Sequence, residues 1–150
     1  MNQRITLLIF VALVMAGGLL TGYLTRPGEW YAQLAKPEFT PPGWLFGPVW
    51  TLLYIMIGIA GWRIWRMDRR SWPMRLWFNQ LALNFLWSPA FFVAHRIDLA
   101  LIIILLLLGI IIWFIIASWS RDRTAALLFV PYAAWVAFAS VLNATILALN

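Results

Sequence analysis

Three stretches of the sequence place aromatic and amide side chains four residues apart, which puts them on one face of a helix. Such a face suits a flat, largely apolar ligand with a few polar edges. The same pattern also fits helices that pack and hydrogen-bond to one another without a ligand, and the spacing leaves both interpretations open. The stretches are Phe46, Trp50 and Tyr54; Gln80, Asn84 and Ser88, flanked by Trp87 and Phe91; and Trp135, Ala139 and Asn143.

The residues of conventional catalysis are missing from these stretches. There is no cysteine, and His95 is the only histidine, so no metal-binding set is expected. The sequence has no Ser-His-Asp set, phosphate loop or nucleic-acid motif. No acidic residue lies in the middle of a predicted membrane span, where a proton-coupled carrier would be expected to have one. All five fall in loops or at the ends of spans. The acids are Glu29, Glu38, Asp68, Asp98 and Asp122.

Composition places these stretches in a membrane. Of 150 residues, 64% are hydrophobic and only 11% are charged, too few charges to cover a soluble domain. A spanning helix needs roughly 20 apolar residues, and five segments reach that length. We therefore predict an all-α, polytopic integral membrane protein, with residues 1–150 forming one five-helix domain. The predicted spans are 5–24, 43–65, 74–95, 99–119 and 124–149.

The arginines predict the orientation. With five spans, the N-terminus, the second-to-third loop and the fourth-to-fifth loop share one side. The positive-inside rule puts that side in the cytoplasm, and the C-terminus and residues 26–42 outside, which fits a bacterial cell membrane. That side carries Arg4, Arg63, Arg66, Arg69, Arg70, Arg75, Arg121 and Arg123, against Arg26, Lys36 and Arg96 on the other.

Residues 26–42 form the longest connection, and they read RPGEWYAQLAKPEFTPP. Four prolines restrict its backbone, while Trp30, Tyr31, Leu34 and Phe39 give it an apolar face. One interpretation is a lid over the bundle mouth, and the other is a segment at headgroup level. Within the spans, Pro48, Pro89 and Pro131 can kink helices and so open space between them. The alternative, which we favour, is that proline is simply commoner in membrane helices.

The loop and the second, third and fifth spans together resemble the TspO/MBR family, the tryptophan-rich sensory proteins related to the mitochondrial translocator protein (peripheral benzodiazepine receptor). The resemblance extends over essentially the whole chain, in order and at family spacing. The matching stretches are WYAQLAKPEFTPPGWLFGPVWTLLY at 30–54, NQLALNFLWSPAFF at 79–92 and LFVPYAAWVAFASVLN at 128–143.

This resemblance implies a homodimeric five-helix bundle, with no obligatory cofactor and a pocket under the first loop. It implies that the pocket binds porphyrins such as protoporphyrin IX or haem. The end of the fifth span lacks the Tyr and basic residue of the cholesterol pattern in animal members, which argues against a sterol site there. Carried over by motif, the ligand-binding residues are Trp30, Tyr31, Pro41, Trp50, Tyr54, Asn84, Trp87, Phe91, Trp135 and Ala139.

Three functions are compatible with these features. The first is a porphyrin-binding membrane sensor, receptor or transporter. The second is light-dependent porphyrin breakdown, because Trp50 and Trp135 occupy the places of tryptophans implicated in that reaction in some bacterial relatives. The third is a scaffold without a ligand, in which the Gly18 and Gly22 pair supports close helix contact. The lipid bilayer is an expected partner in all three, and nucleic acid in none.

Overall fold

Residues 2–150 are described by a computed structural model, and within that range the chain consists only of helices and connecting loops. The protein is thus an all-helical membrane protein. The helices are α1 (Gln3–Leu24), α2 (Glu29–Ala32), a 3-10 turn (Gly43–Leu45), α3 (Phe46–Asp68), α4 (Trp72–Ser88), a π-helical turn (Pro89–Val93), α5 (Ile97–Ser118), α6 (Arg123–Leu128) and α7 (Val130–Leu149).

Four segments are long and apolar enough to cross a membrane, namely Gln3–Leu24, Gly43–Asp68, Ile97–Ser118 and Arg123–Leu149. They match the first, second, fourth and fifth predicted spans. The third predicted span corresponds to the 17-residue helix α4 and the π-helical turn that follows it. That this segment also crosses the membrane, giving five spans, stays a prediction.

Two of the three prolines lie where a helix changes. Pro89 opens the π-helical turn after α4, and Pro131 follows the break at Phe129 that divides the fifth predicted span into α6 and α7. Pro48 lies in the first turn of α3, directly after the 3-10 turn Gly43–Leu45.

Side-chain caps begin three of the helices at polar residues. The Ser71 hydroxyl accepts the backbone N–H of Met74 at 3.3 Å, and the Asp122 carboxylate accepts that of Ala125 at 3.1 Å. Both bonds satisfy amides that a helix start leaves free. Asn2 caps α1 in the same way, through the N–H of Arg4. The chain therefore turns at polar positions between the apolar helices.

The core is densest in the half of the bundle that is remote from the first loop. Ile57 and Ile64 of α3 are buried there against Trp77 of α4, whose indole N–H donates to the Ile57 carbonyl at 2.9 Å. Phe114 of α5 stacks on Phe129 with ring centres 4.1 Å apart. This half holds the helices together and leaves the opposite half free to enclose a cavity.

Candidate ligand pocket

A cavity of about 680 Å³ lies between the helices beneath the first loop. Its walls come from α1, α3, α4, α5, α7 and the loop itself. This volume falls in the range of about 300–1,000 Å³ that small-molecule sites occupy. The three predicted stretches of aromatic and amide residues, called stripes from here on, all contribute to the wall. Every member of the stripes in α3 and α7 lines the cavity, and so does every member of the stripe in α4 except Gln80.

Nine of the ten predicted ligand-binding residues line this one cavity. The exception is Trp30, which packs on the outside of the wall. Its ring stacks on His95 at 4.2 Å between ring centres and meets the edge of Phe91 at 5.9 Å. The nine that the fold brings together are Tyr31, Pro41, Trp50, Tyr54, Asn84, Trp87, Phe91, Trp135 and Ala139.

Aromatic rings make up much of the wall. Trp50 lies 5.4 Å from Tyr54 and 6.4 Å from Tyr132, measured between ring centres. Trp135 meets Phe46 edge-on at 5.7 Å. Neither the Trp50 nor the Trp135 indole donates a hydrogen bond to another of the residues that the structure describes, so both offer a ring face and a free donor.

One pair of the buried amides ties helices together instead of facing a ligand. The Asn84 amide donates to the Tyr132 hydroxyl at 2.7 Å, and that hydroxyl donates to the Gln80 carbonyl oxygen at 2.8 Å. This chain joins α4 to α7 at the floor of the cavity. Gln80 is fully buried below that floor, so it serves the bundle although it belongs to the polar stripe.

Asn143 makes the second such link. Its carbonyl oxygen accepts the Trp87 indole N–H at 3.0 Å, and its amide donates to the Ile97 carbonyl at 3.1 Å. Three helices, α4, α5 and α7, therefore meet at one side chain. The Asn84 and Asn143 amide nitrogens are thus bonded within the bundle, whereas the buried Gln80 amide nitrogen has no partner among the described residues.

The first loop covers the cavity. Tyr31 of α2 packs against Phe91 and Phe92 at 6.0 and 5.3 Å between ring centres, and Phe39 packs against Phe138 at 6.2 Å. Burial raises the pKa of the Tyr31 hydroxyl. These contacts place the apolar face of the loop on the bundle, as the lid interpretation predicts.

Asn150 fastens the lid, a role that the sequence pattern does not indicate. Its side-chain amide donates to the Ala35 carbonyl at 2.9 Å, and its carbonyl oxygen accepts the Ala35 N–H at 3.1 Å. An asparagine after the last helical turn belongs to no periodic stripe, so no spacing marks it. His95 supports the lid from below and adopts a left-handed backbone with φ of 54°, where the π-helical turn gives way to α5.

Lys36 is the only charged residue lining the cavity in the described part of the chain. Its ammonium lies 4.4 Å from the centre of the Tyr31 ring and donates to the Leu34 carbonyl at 3.2 Å. From the sequence alone, Lys36 counts only among the basic residues that predict the orientation in the membrane. Its place at the rim offers a positive charge to an acidic group on a ligand.

The α1 side of the cavity was also missed, because α1 carries no aromatic or amide stripe. Gly18 packs against Tyr54 so closely that even a methyl group would collide with its ring. Gly22, Gly43 and Gly47 line the cavity instead, with nothing within 4 Å of where a Cβ would stand. The Gly18 and Gly22 pair thus marks one close contact and one open position.

Comparison with known proteins agrees with this architecture. The profile described as the TspO/MBR family matches residues 10–149. Tryptophan-rich protein TspO of Chlorobaculum tepidum is 40% identical over 158 residues, covering 100% of this chain and 99% of the relative. Protein CrtK of Rhodobacter capsulatus is 35% identical, covering 100% and 95%. The human translocator protein is 39% identical over 120 residues, covering 77% and 71%.

Proposed function

The chain belongs to the TspO/MBR family, and on that premise we propose that it is a membrane receptor or carrier for porphyrins, held in the cavity under the first loop. The observation that carries the proposal is the aromatic cavity under the first loop. A scaffold without a ligand calls for a filled interior, since empty space forfeits packing energy.

The chemistry of the wall matches a porphyrin such as protoporphyrin IX or haem. The macrocycle is flat and apolar, so it can stack on Trp50 and Trp135. Its propionate carboxylates lie at one edge, and an edge turned towards the lid would meet the Lys36 ammonium. Ala139 stands four residues after Trp135 on the same face of α7, where its small side chain leaves room for the ring.

A titration of purified protein with protoporphyrin IX, followed by tryptophan fluorescence quenching, tests this proposal. We expect the double substitution Trp50→Ala, Trp135→Ala to weaken binding about tenfold or more, because two stacking contacts are lost. The matched control is Trp113→Ala, Trp119→Ala, which removes two exposed indoles outside the cavity. Equal affinity of the two folded double variants would contradict the proposed site.

The lysine contact has its own test. Protoporphyrin IX dimethyl ester keeps the macrocycle but carries no negative charge. We expect Lys36→Gln to weaken binding of the free acid about threefold to tenfold, as the loss of one charge-assisted contact allows. Binding of the ester should barely change. An equal loss of affinity for acid and ester would show that Lys36 does not recognise the propionates. It would not argue against the proposed contacts with the aromatic wall.

Light-dependent breakdown of bound porphyrin is the second candidate. The ring of Trp50 lies at the cavity wall with Tyr54 and Tyr132 beside it, so oxidisable side chains border the ligand. Dioxygen would be the oxidant and porphyrin the substrate. Illumination should convert the porphyrin to a new absorbing product only when dioxygen and the folded protein are both present. Loss at the same rate in empty detergent micelles would exclude this activity.

The proposal includes five membrane crossings, with the N-terminus in the cytoplasm and the lid and C-terminus outside. Helix α4 and its π-helical turn together run from Trp72 to Val93, which spans roughly 30 Å at 1.5 Å per residue. The chain has no cysteine, so single cysteines at Glu38 and Asp68 report topology cleanly. An impermeant maleimide should label the first in whole cells and the second only after lysis.

A homodimer is also part of the proposal, and the family resemblance is its basis. Cross-linking at protein concentrations well below one copy per micelle tests it. A dimer that persists on dilution supports this state, and monomer alone contradicts it.

A further inference from the structure

A second concave site lies at the opposite end of the bundle, between the start of α1 and the end of α3. It is a groove of about 500 Å³ that shares no residue with the porphyrin cavity. Aromatic, basic and amide side chains alternate along it, a mixture unlike the apolar wall of the main cavity. The lining residues are Gln3, Thr6, Trp62, Trp65, Arg66, Met67, Asp68 and Arg69.

The two groove arginines carry charges that no nearby carboxylate neutralises. Among residues 2–150, neither Arg66 nor Arg69 has a carboxylate oxygen within 4.0 Å, whereas Arg63 on the same helix pairs with Asp122 at 2.9 Å. The Asp68 carboxylate lies in the groove and accepts the backbone N–H of Arg70 at 3.0 Å. It offsets one of the two arginine charges, so the groove keeps a net positive charge.

Indole rings lie beside the two guanidinium groups. The Arg66 guanidinium carbon lies 4.5 Å from the centre of the Trp62 ring, and the Arg69 carbon lies 6.0 Å from that of Trp65, at the outer limit of a cation–π contact. Arg66 also reaches the side-chain oxygen of Gln3 on α1 at 3.5 Å. A guanidinium group beside an aromatic ring can still present its N–H edges to a phosphate.

The Trp62 indole nitrogen is buried and has no hydrogen-bond partner among the residues that the structure describes. Buried donors in folded proteins are nearly always bonded. The Gln80 amide nitrogen and the Ser118 hydroxyl, both outside the groove, are in the same state, so this donor does not by itself mark a ligand.

An apolar strip continues from the groove along α1. Thr6, Ile9 and Leu13 follow one another at helical spacing, so they share a face. Ile9 is 42% exposed and Leu13 is 65% exposed, and Met67 at the groove mouth is 52% exposed. A charged pocket that opens onto an exposed apolar strip suits a molecule with a phosphate head and an acyl tail.

We infer that this groove binds the headgroup of an anionic phospholipid, with its phosphate between Arg66 and Arg69 and its acyl chain along Ile9 and Leu13 of α1. The bound lipid bridges α1 and α3 at the end remote from the porphyrin. The site stands apart from the proposed function, and porphyrin binding can fail without affecting it.

Native mass spectrometry of the detergent-purified protein, incubated with phosphatidylglycerol or phosphatidylcholine, measures the preference directly. We expect phosphatidylglycerol to be retained about tenfold more, since each basic residue near an anionic headgroup adds appreciable attraction. Arg66→Gln, Arg69→Gln should remove about tenfold of that retention. The matched control is Arg121→Gln, Arg123→Gln, which makes the same charge change at the same end, beside Asp122, and outside the groove. It should retain the lipid.

Several results would overturn the inference. They are equal retention of the two lipids, an equal loss in both double variants, or preferential retention of zwitterionic phosphatidylethanolamine. Thermal stabilisation by inorganic phosphate equal to that by phosphatidylglycerol would show a free-anion site instead. If the double glutamine variant fails to fold, the single variant Arg69→Gln decides: it removes one of the two charges and should weaken lipid retention about threefold. Unchanged retention in folded Arg69→Gln would then contradict the site.

Discussion

The two halves of the bundle use the same residue type for opposite purposes. In the half away from the lid, Gly58 and Gly61 let side chains and backbone approach closely: Val11 of α1 lies against the first, and Trp77 of α4 against the second. In the half under the lid, Gly22, Gly43 and Gly47 face empty space. A neighbour occupies the space beside Gly58 and Gly61, whereas the space beside Gly22, Gly43 and Gly47 opens onto the cavity.

This difference teaches how a small bundle can keep a cavity. An unfilled interior forfeits contacts and costs stability, so the packed half must hold the helices in place. Gly18 marks the boundary, because it packs on Tyr54, whose ring also lines the cavity. We expect substitutions in the packed half to change stability, and substitutions under the lid to change ligand binding.

The largest expected effect is on stability, from Gly61→Ala. The added methyl group would collide with the buried Trp77 ring, whose indole N–H is already fixed on the Ile57 carbonyl. Overpacking of this kind costs about 1–3 kcal/mol. Thermal unfolding in detergent, followed by circular dichroism, measures the loss. Gly109→Ala is the control, because nothing lies near that exposed helical position. A Gly61→Ala protein as stable as this control would contradict the role assigned to the packed half.

Tyr132→Phe comes next, because Tyr132 bridges the two halves. Without the hydroxyl, the Asn84 donor and the Gln80 acceptor lose the partner they share. Leaving buried polar groups unbonded costs about 1–3 kcal/mol, and we expect the lower part of that range because the ring remains. Tyr23→Phe, at an exposed tyrosine without a hydrogen bond in the structure, should leave the melting temperature unchanged. Equal melting temperatures for the two variants would break the prediction.

Gly47→Leu should reverse the pattern, sparing stability and reducing affinity. Gly47 lies three residues before Trp50 on the same face of α3, with open space beside it. A leucine there would occupy ligand volume, so protoporphyrin IX should bind about tenfold more weakly or worse. Gly109→Leu adds the same side chain on α5 outside the cavity and should bind normally. Unchanged binding by Gly47→Leu would show that the ligand lies elsewhere.

The smallest expected effect concerns the lid. Asn150→Ala removes both hydrogen bonds to Ala35, so the lid should open more often. Ligand dissociation, followed by stopped-flow fluorescence, should accelerate about two- to fivefold, in line with one or two exposed hydrogen bonds. Asn79→Ala is the control, since its amide donates only to the Arg75 carbonyl on the surface of α4. Equal dissociation rates would mean that Asn150 does not fasten the lid.

The helices and the aromatic wall were predictable because both rest on local periodicity. Apolar length fixed the spans to within a few residues, and spacing by four placed Trp50, Asn84 and Trp135 on inward faces. Pro89 and Pro131 marked the two places where helices change. The form of each change, a π-helical turn and a break at Phe129, was not predictable, because neighbouring helices decide how the freed backbone groups are bonded. The number of crossings stays a prediction, since α4 falls short of a full span on its own.

The parts of the site that lie outside such patterns were missed. Lys36 and Asn150 make their contacts only because the loop folds onto the bundle next to the end of α7. No sequence repeat marks either residue. Trp30 was assigned to the pocket by its motif, yet its ring stacks on His95 behind the wall. The α1 wall includes Gly18 and Gly22, which have no side chain to mark them as part of a site.

The most direct test of the proposed porphyrin site is a structure of the protein determined with protoporphyrin IX bound. We expect the macrocycle under residues 26–42, in contact with the Trp50 and Trp135 rings, with a propionate within hydrogen-bonding reach of the Lys36 ammonium. A porphyrin bound on the outer surface of the bundle, with the cavity beneath the lid empty, would contradict this site.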